Sequence, residues 1–157
     1  MELAKNAFIA SNLDLGGKNV CYIDELDPEM GEAERDAILE RIVDKCLWSV
    51  YYNSGQTRES IESIIVHQSI ANMFTNMFTE KVNEIFHLEN PKLESCNYGC
   101  VNNPLDIGFF DEIVNDAQKM GGLVTIGGFQ NQDYEGFGRF YEPTVIANVN
   151  QGMKCQI

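Results

Sequence analysis

The chain has 157 residues, 44% hydrophobic and 22% charged with four prolines, which at roughly 150 residues per domain describes one folded unit and excludes a disordered chain. A net charge of -13, a pI near 4.4 and no basic patch exclude nucleic acid as a partner, because phosphate repels such a surface. No apolar run is long enough to span a membrane, and five cysteines with no signal peptide ahead of them point to a reducing, cytoplasmic setting.

The opening stretch closes on Gly16-Gly17, a turn signal, and leads into "NVCYIDE", a β-prone run that predicts a strand from Asn19 to Asp24. Asp27-Pro28 follows as an N-cap and first helical position, with Glu29 and Glu32 near the positive end of the helix dipole. The acidic run Asp24 to Asp36 reads as a solvated helix face. Ala37, Ile38, Ile42, Cys46 and Val50 follow helical spacing, so the helix is expected from Ala33 to Tyr52, with Gly31 as a possible break at its start. Asn53-Ser54-Gly55 ends it.

"IESIIVH", Ile61 to His67, is short and β-branched, as a buried strand should be. The next helix carries Ile70, Phe74, Met77 or Phe78, Val82 and Ile85 on one face, with Ser69 available as its cap. Residues 90 to 104 are a loop by composition. Asn103-Pro104 starts a third helix with Phe109 or Phe110, Ile113, Val114 and Ala117 inward and Gly121-Gly122 as its stop. Leu123 to Gly128 and Thr144 to Val149 are expected strands on either side of a polar, flexible stretch. Strands separated by helices predict an α/β fold, a largely parallel sheet with helices on both faces.

Few side chains offer chemistry. Cys96 and Cys100 in "CNYGC" have neither of the two histidines nearby, so they read as free thiols at a turn in preference to a zinc site. His67 reads as a capping or surface residue, and His87 falls at a helix C-terminus, where a partly charged imidazole favours the dipole.

Six segments, in this order, resemble the catalytic domain of the aldehyde dehydrogenase superfamily. "LDLGGKN" is similar to that family's E-L-G-G-K segment, "IDELD" to its D-x-D-L-D stretch and "NSGQTR" to its N-x-G-Q-x-C. "IIVHQSIANMFTNMFTEKV", "AQKMGGLVTIGG" and "GRFYEPTVIANV" complete the set. The resemblance covers nearly the whole chain and implies a single partial catalytic domain over residues 1–157, with the nucleotide-binding domain absent. The chain stops where the family's cofactor-holding E-E-I-F-G-P segment would begin, and Pro28 to Tyr52 is longer than the family's usual spacing.

In that family a cysteine thiolate attacks an aldehyde, hydride leaves to NAD(P), and a glutamate activates water to release the acid. The resemblance puts Arg58 at the nucleophile position, and a guanidinium that stays protonated cannot attack a carbonyl. It puts Asp14 at the general-base position, one methylene short of glutamate. Asp14 beside Arg58 is then expected to act as a neutralising carboxylate. Thr57 and Ser60 lack a base in the motif, and Cys46 is expected to pack in its helix. Gly127-Gly128, without a helix start behind them, are a turn. No cofactor is expected in this chain, though the family uses NAD(P). The expected function is an inactive aldehyde dehydrogenase domain; the alternatives are a binding or regulatory partner of an intact subunit and a residual enzyme with a rearranged site. A homo-oligomer or an aldehyde dehydrogenase subunit is the expected partner, with no nucleic acid and no membrane.

Overall fold

The structure, a computed structural model, describes residues 16–88, 92–103, 105–131 and 139–156; Asp14 and its proposed pairing with Arg58 lie outside the described residues. Strand β1 (Asn19–Ile23) leads through helix α1 (Glu32–Tyr51) to β2 (Ile61–Val66), and the two strands pair in parallel with Val20 opposite Ser63 and Ile23 opposite Val66. A helical crossover is what a parallel pair needs, since a tight turn cannot return the chain in the same direction. Helix α2 (Ala71–Ile85), helix α3 (Asp106–Lys119), β3 (Leu123–Ile126), β4 (Gln130–Asn131), β5 (Phe140–Tyr141) and β6 (Val145–Ala147) follow.

The α/β class holds, but parallel pairing among the described residues is confined to β1–β2. Strands β3 and β6 pair antiparallel, as do β4 and β5. The reason is connectivity: among the described residues no helix separates β3 from β6, and strands joined without a helical crossover pair antiparallel. The stretch read as a polar flexible segment holds β4 and β5, two residues each, too short for alternation to reveal.

The core lies where α1, α2 and the inner face of β1–β2 meet. Leu39, Val43, Cys46, Leu47 and Tyr51 of α1 pack with Ile23, Ile70, Phe74, Phe78 and Val82, and Cys21, Ile64 and Val66 close the sheet side. The α1 stripe is therefore rotated from the expected one. Ala37 is exposed and Ile38, Ile42 and Val50 only half-buried, while Leu39, Val43, Leu47 and Tyr51, four apart, face α2. In α3 the inward residues are Ile107, Val114 and Ala117; Phe109 points to solvent.

Two helix starts also differ from expectation. The Asp27 carboxylate accepts the Glu29 N–H at 2.9 Å and its carbonyl the Met30 N–H at 3.1 Å, which closes a turn, and α1 begins only after Gly31. An Asx turn competes with the capping role for the same side chain. Ser69 does not cap α2, because its hydroxyl is engaged by His67 Nδ1 at 2.8 Å. The other end of α2 is capped from afar: the Asn97 amide donates to the Ile85 carbonyl while its oxygen accepts the His87 N–H.

Candidate active site

The turn between α1 and β2 is held in an uncommon conformation. Asn53, Ser54 and Gly55 have φ of 53°, 58° and 72°, the left-handed region that residues with a Cβ rarely enter. Such a run persists only where its surroundings fix it, and here a facing segment does so. Gln56 donates from Nε2 to the Cys100 carbonyl at 3.0 Å and accepts the Asn102 N–H on Oε1 at 2.7 Å, while Ser54 Oγ accepts the Gly99 N–H at 2.8 Å. That segment is anchored in turn by Val101 N–H to the Arg139 carbonyl at 2.7 Å.

The chain leaves this turn through Thr57 and Arg58, and there the residues before β1 meet it. Asn19 Nδ2 donates to the Arg58 carbonyl at 2.6 Å and to the Ser60 carbonyl at 3.1 Å. Gly17 lies so close that a Cβ there would be 2.1 Å from the Arg58 carbonyl oxygen, so only glycine fits. The "GGKN" and "NSGQTR" segments, about forty residues apart in sequence, thus form one loop pair, with residue 58 at their junction. The Arg58 side chain is half-exposed, with Nε 3.3 Å from Glu59 Oε1.

The other candidates are engaged, buried or distant. Thr57 Oγ1 and Ser60 Oγ lie 2.9 Å apart and bond each other, and Ser60 is buried. Cys46 is 4% exposed and faces the core; burial pushes its thiol up to about 12, with the neighbouring Cys21 adding to the effect, so it remains protonated. His67 stands on an exposed turn, its Nδ1 4.0 Å from Glu25 Oε2. Among the described residues no three His, Cys, Asp or Glu side chains gather as a metal-holding group. Gly127-Gly128 form the turn that leads from β3 directly into β4. A groove of about 380 Å³ runs beside the turn past Trp48, Tyr52 and Ile85.

Sequence reasoning reached Arg58 through the N-x-G-Q motif but missed what fixes it. Asn19 and Gln56 could have been suspected, because each is a polar residue beside the glycines of its motif. Asn97 gave no signal, since its partners are ten and more residues away.

A βαβ unit with a glycine-tight loop pressed against the turn before its second strand defines an α/β catalytic-domain fold. The aldehyde dehydrogenase family profile matches residues 1–156, and the chain belongs to that family. D-glyceraldehyde dehydrogenase (NADP(+)) of Picrophilus torridus is 30% identical over 154 residues, 96% of this chain and 28% of that protein. 3,6-anhydro-alpha-L-galactose dehydrogenase of Vibrio sp. is 32% identical over 142 residues, 90% of this chain and 27% of that protein. The solved structure of 3,6-anhydro-L-galactose dehydrogenase in complex with NAP superposes with a TM-score of 0.77 at 27% identity, covering 99% of this chain and 30% of that one. Succinate-semialdehyde dehydrogenase from Burkholderia pseudomallei, at 21% identity and a TM-score of 0.76 over 91% of this chain and 27% of that one, shares the fold. The chain thus spans little more than a quarter of the curated relatives it matches. The family oxidises aldehydes with NAD(P). Among the described residues no helix is long and apolar enough to cross a membrane.

Proposed function

We propose that this chain is a catalytically inactive aldehyde dehydrogenase domain that holds no dinucleotide by itself. One feature supports the reading: the motif resemblance puts Arg58 at the family's nucleophile position, and Arg58 stands on a turn whose backbone is held by Gly17, Asn19 and Gln56. Thioester chemistry needs a group that adds to the carbonyl as an anion and later leaves, and a protonated guanidinium does neither. Asp14, at the general-base position, is one methylene shorter than the family's glutamate, and a displacement of roughly 1 Å costs on the order of a hundredfold in a positioned reaction. Asp14 serves instead as the charge partner of Arg58.

The test is a comparison of the natural chain with Arg58→Cys. With a short aldehyde and NAD(P)+, the natural chain is expected to produce no reduced nicotinamide, while Arg58→Cys gains a thiol at position 58 that iodoacetamide labels in the folded state. Nicotinamide reduction by the natural chain above a heat-unfolded control contradicts the proposal. For the charge pairing, Asp14→Asn is expected to lower stability by at most about 1 kcal/mol, with the loss shrinking as salt rises.

A second reading, a binding partner of an intact aldehyde dehydrogenase subunit, is favoured by the outer face of β1–β2. Val20, Tyr22 and Ile65 are 56%, 62% and 55% exposed on one side of a parallel pair, and parallel sheets are ordinarily covered on both faces. Co-purification with an active homologue, lost on Tyr22→Lys, is the expected result. Failure of the two to co-purify at micromolar concentration removes this reading.

A further inference from the structure

A second cavity, away from Arg58, has a chemistry of its own. It is a cleft of about 280 Å³ where three parts of the fold converge: Val82, Asn83 and Phe86 at the end of α2, Ile126, Gly127 and Phe129 at the β3–β4 turn, and Glu142 and Pro143 after β5. Its lining is mixed, with Val82, Phe86, Ile126 and Phe129 set among the polar Asn83 and Glu142, and Phe129 is 56% exposed beside it.

Glu142 is the one charged residue lining it, and the backbone around that carboxylate is tightly fixed. The Glu142 N–H donates to the Phe129 carbonyl at 3.1 Å, and its own carbonyl accepts the Thr144 hydroxyl at 2.7 Å. The side chain receives one hydrogen bond, from Asn131 Nδ2 to Oε1 at 2.7 Å. Among the described residues it has no cationic partner. The single Asn131 donor occupies only one of the acceptor sites of this half-buried carboxylate, so the others stay open to a cation. Tyr98, whose ring is 5.9 Å from that of Phe86, lies near enough for the Glu142 charge to oppose its ionisation; burial is the larger cause, and together they push the phenol up to about 12. Glu142 thus shares the cleft with Phe86 and Phe129.

We propose that this cleft binds a small primary organic ammonium ion, with the ammonium on the Glu142 carboxylate and the apolar body against Phe86 and Phe129. The two rings give the apolar body a surface to bury against, and the carboxylate supplies the countercharge for the ammonium. Asn83, at the rim, offers an amide oxygen to a further N–H, which favours a primary amine over a quaternary one. The inference is independent of what Arg58 does, since none of the residues involved belongs to the loop pair around it.

Titration of the full chain with phenethylammonium, followed through backbone amide resonances, tests this. The expected result is saturable shifts confined to the amides around Asn83, Phe86, Gly127, Phe129 and Glu142, with a Kd on the order of 1 mM. Glu142→Gln is expected to weaken binding by about tenfold, as charge pairing in a partly desolvated site requires, and 2-phenylethanol, of the same shape without the charge, is expected not to saturate. Because Phe129 is exposed, Phe129→Ala leaves the fold intact and weakens binding several-fold. No saturable shift, equal affinity for the uncharged alcohol, or an unchanged Kd in a folded Glu142→Gln chain each overturns the proposal.

Discussion

At the scale of single residues, the site is a matter of close approach. Gly17 stands against the Arg58 carbonyl with no room for a methyl group, so Gly17→Ala must push two backbones apart. It is expected to cost about 1–3 kcal/mol, read as a lowered urea midpoint, whereas Gly31→Ala, which meets nothing within 4 Å, should leave the midpoint nearly unchanged. Buried titratable groups set the pH limits. Cys46 is raised from 9.0 to about 12 and Tyr98 from 10.0 to about 12, both chiefly by burial. A folded-state pKa above the unfolded one means that the unfolded chain releases its proton first. The stability these groups contribute is therefore complete below pH 9 and is lost progressively as pH rises toward 12. Thermal midpoints should be flat with respect to these groups up to about pH 8.5 and then fall, and Cys46→Ser should change the slope of that decline.

The helices and strands show what the pattern of residues does and does not determine. The order of β1, α1, β2, α2, α3 and β3 was legible, because apolar periodicity and β-branched runs mark each. The rotation of α1 was not: Ile38, Ile42 and Val50 make a stripe as regular as Leu39, Val43 and Leu47, and only packing against Phe74 and Phe78 selects the second. Caps were misread where a side chain had a competing partner, as with Asp27 and Ser69. The α1–α2 contact separates two kinds of stabilisation. Phe78, 4% exposed and 5.5 Å from the Phe74 ring, should cost about 3–5 kcal/mol when replaced by alanine. Lys81 bridges Glu40 and Asp44 across the same helices, with its pKa raised first by the Asp44 hydrogen bond. As a partly exposed ion pair it should cost about 1 kcal/mol or less in Lys81→Met, and the difference should shrink in added salt while the Phe78→Ala loss does not.

At the scale of the whole molecule, the loop pair around position 58 is held through its backbone. Gly17, the Asn19 and Gln56 clamps and the left-handed turn at residues 53–55 hold a backbone in place without regard to the side chain it carries. The family's motif spacing made the junction at residue 58 readable from sequence, whereas the hydrogen bonds that build it join residues about forty positions apart and emerge only in the fold. Antiparallel β3–β6 pairing was equally hidden, since strand-forming residues do not record direction.

The most direct measurement is the intact mass of the purified chain after incubation with an aldehyde and NAD(P)+, quenched in acid before any deacylation. An unaltered mass is the predicted result, because position 58 offers no nucleophile. A hydroxylamine-labile acyl adduct on any side chain of the natural chain would contradict the account.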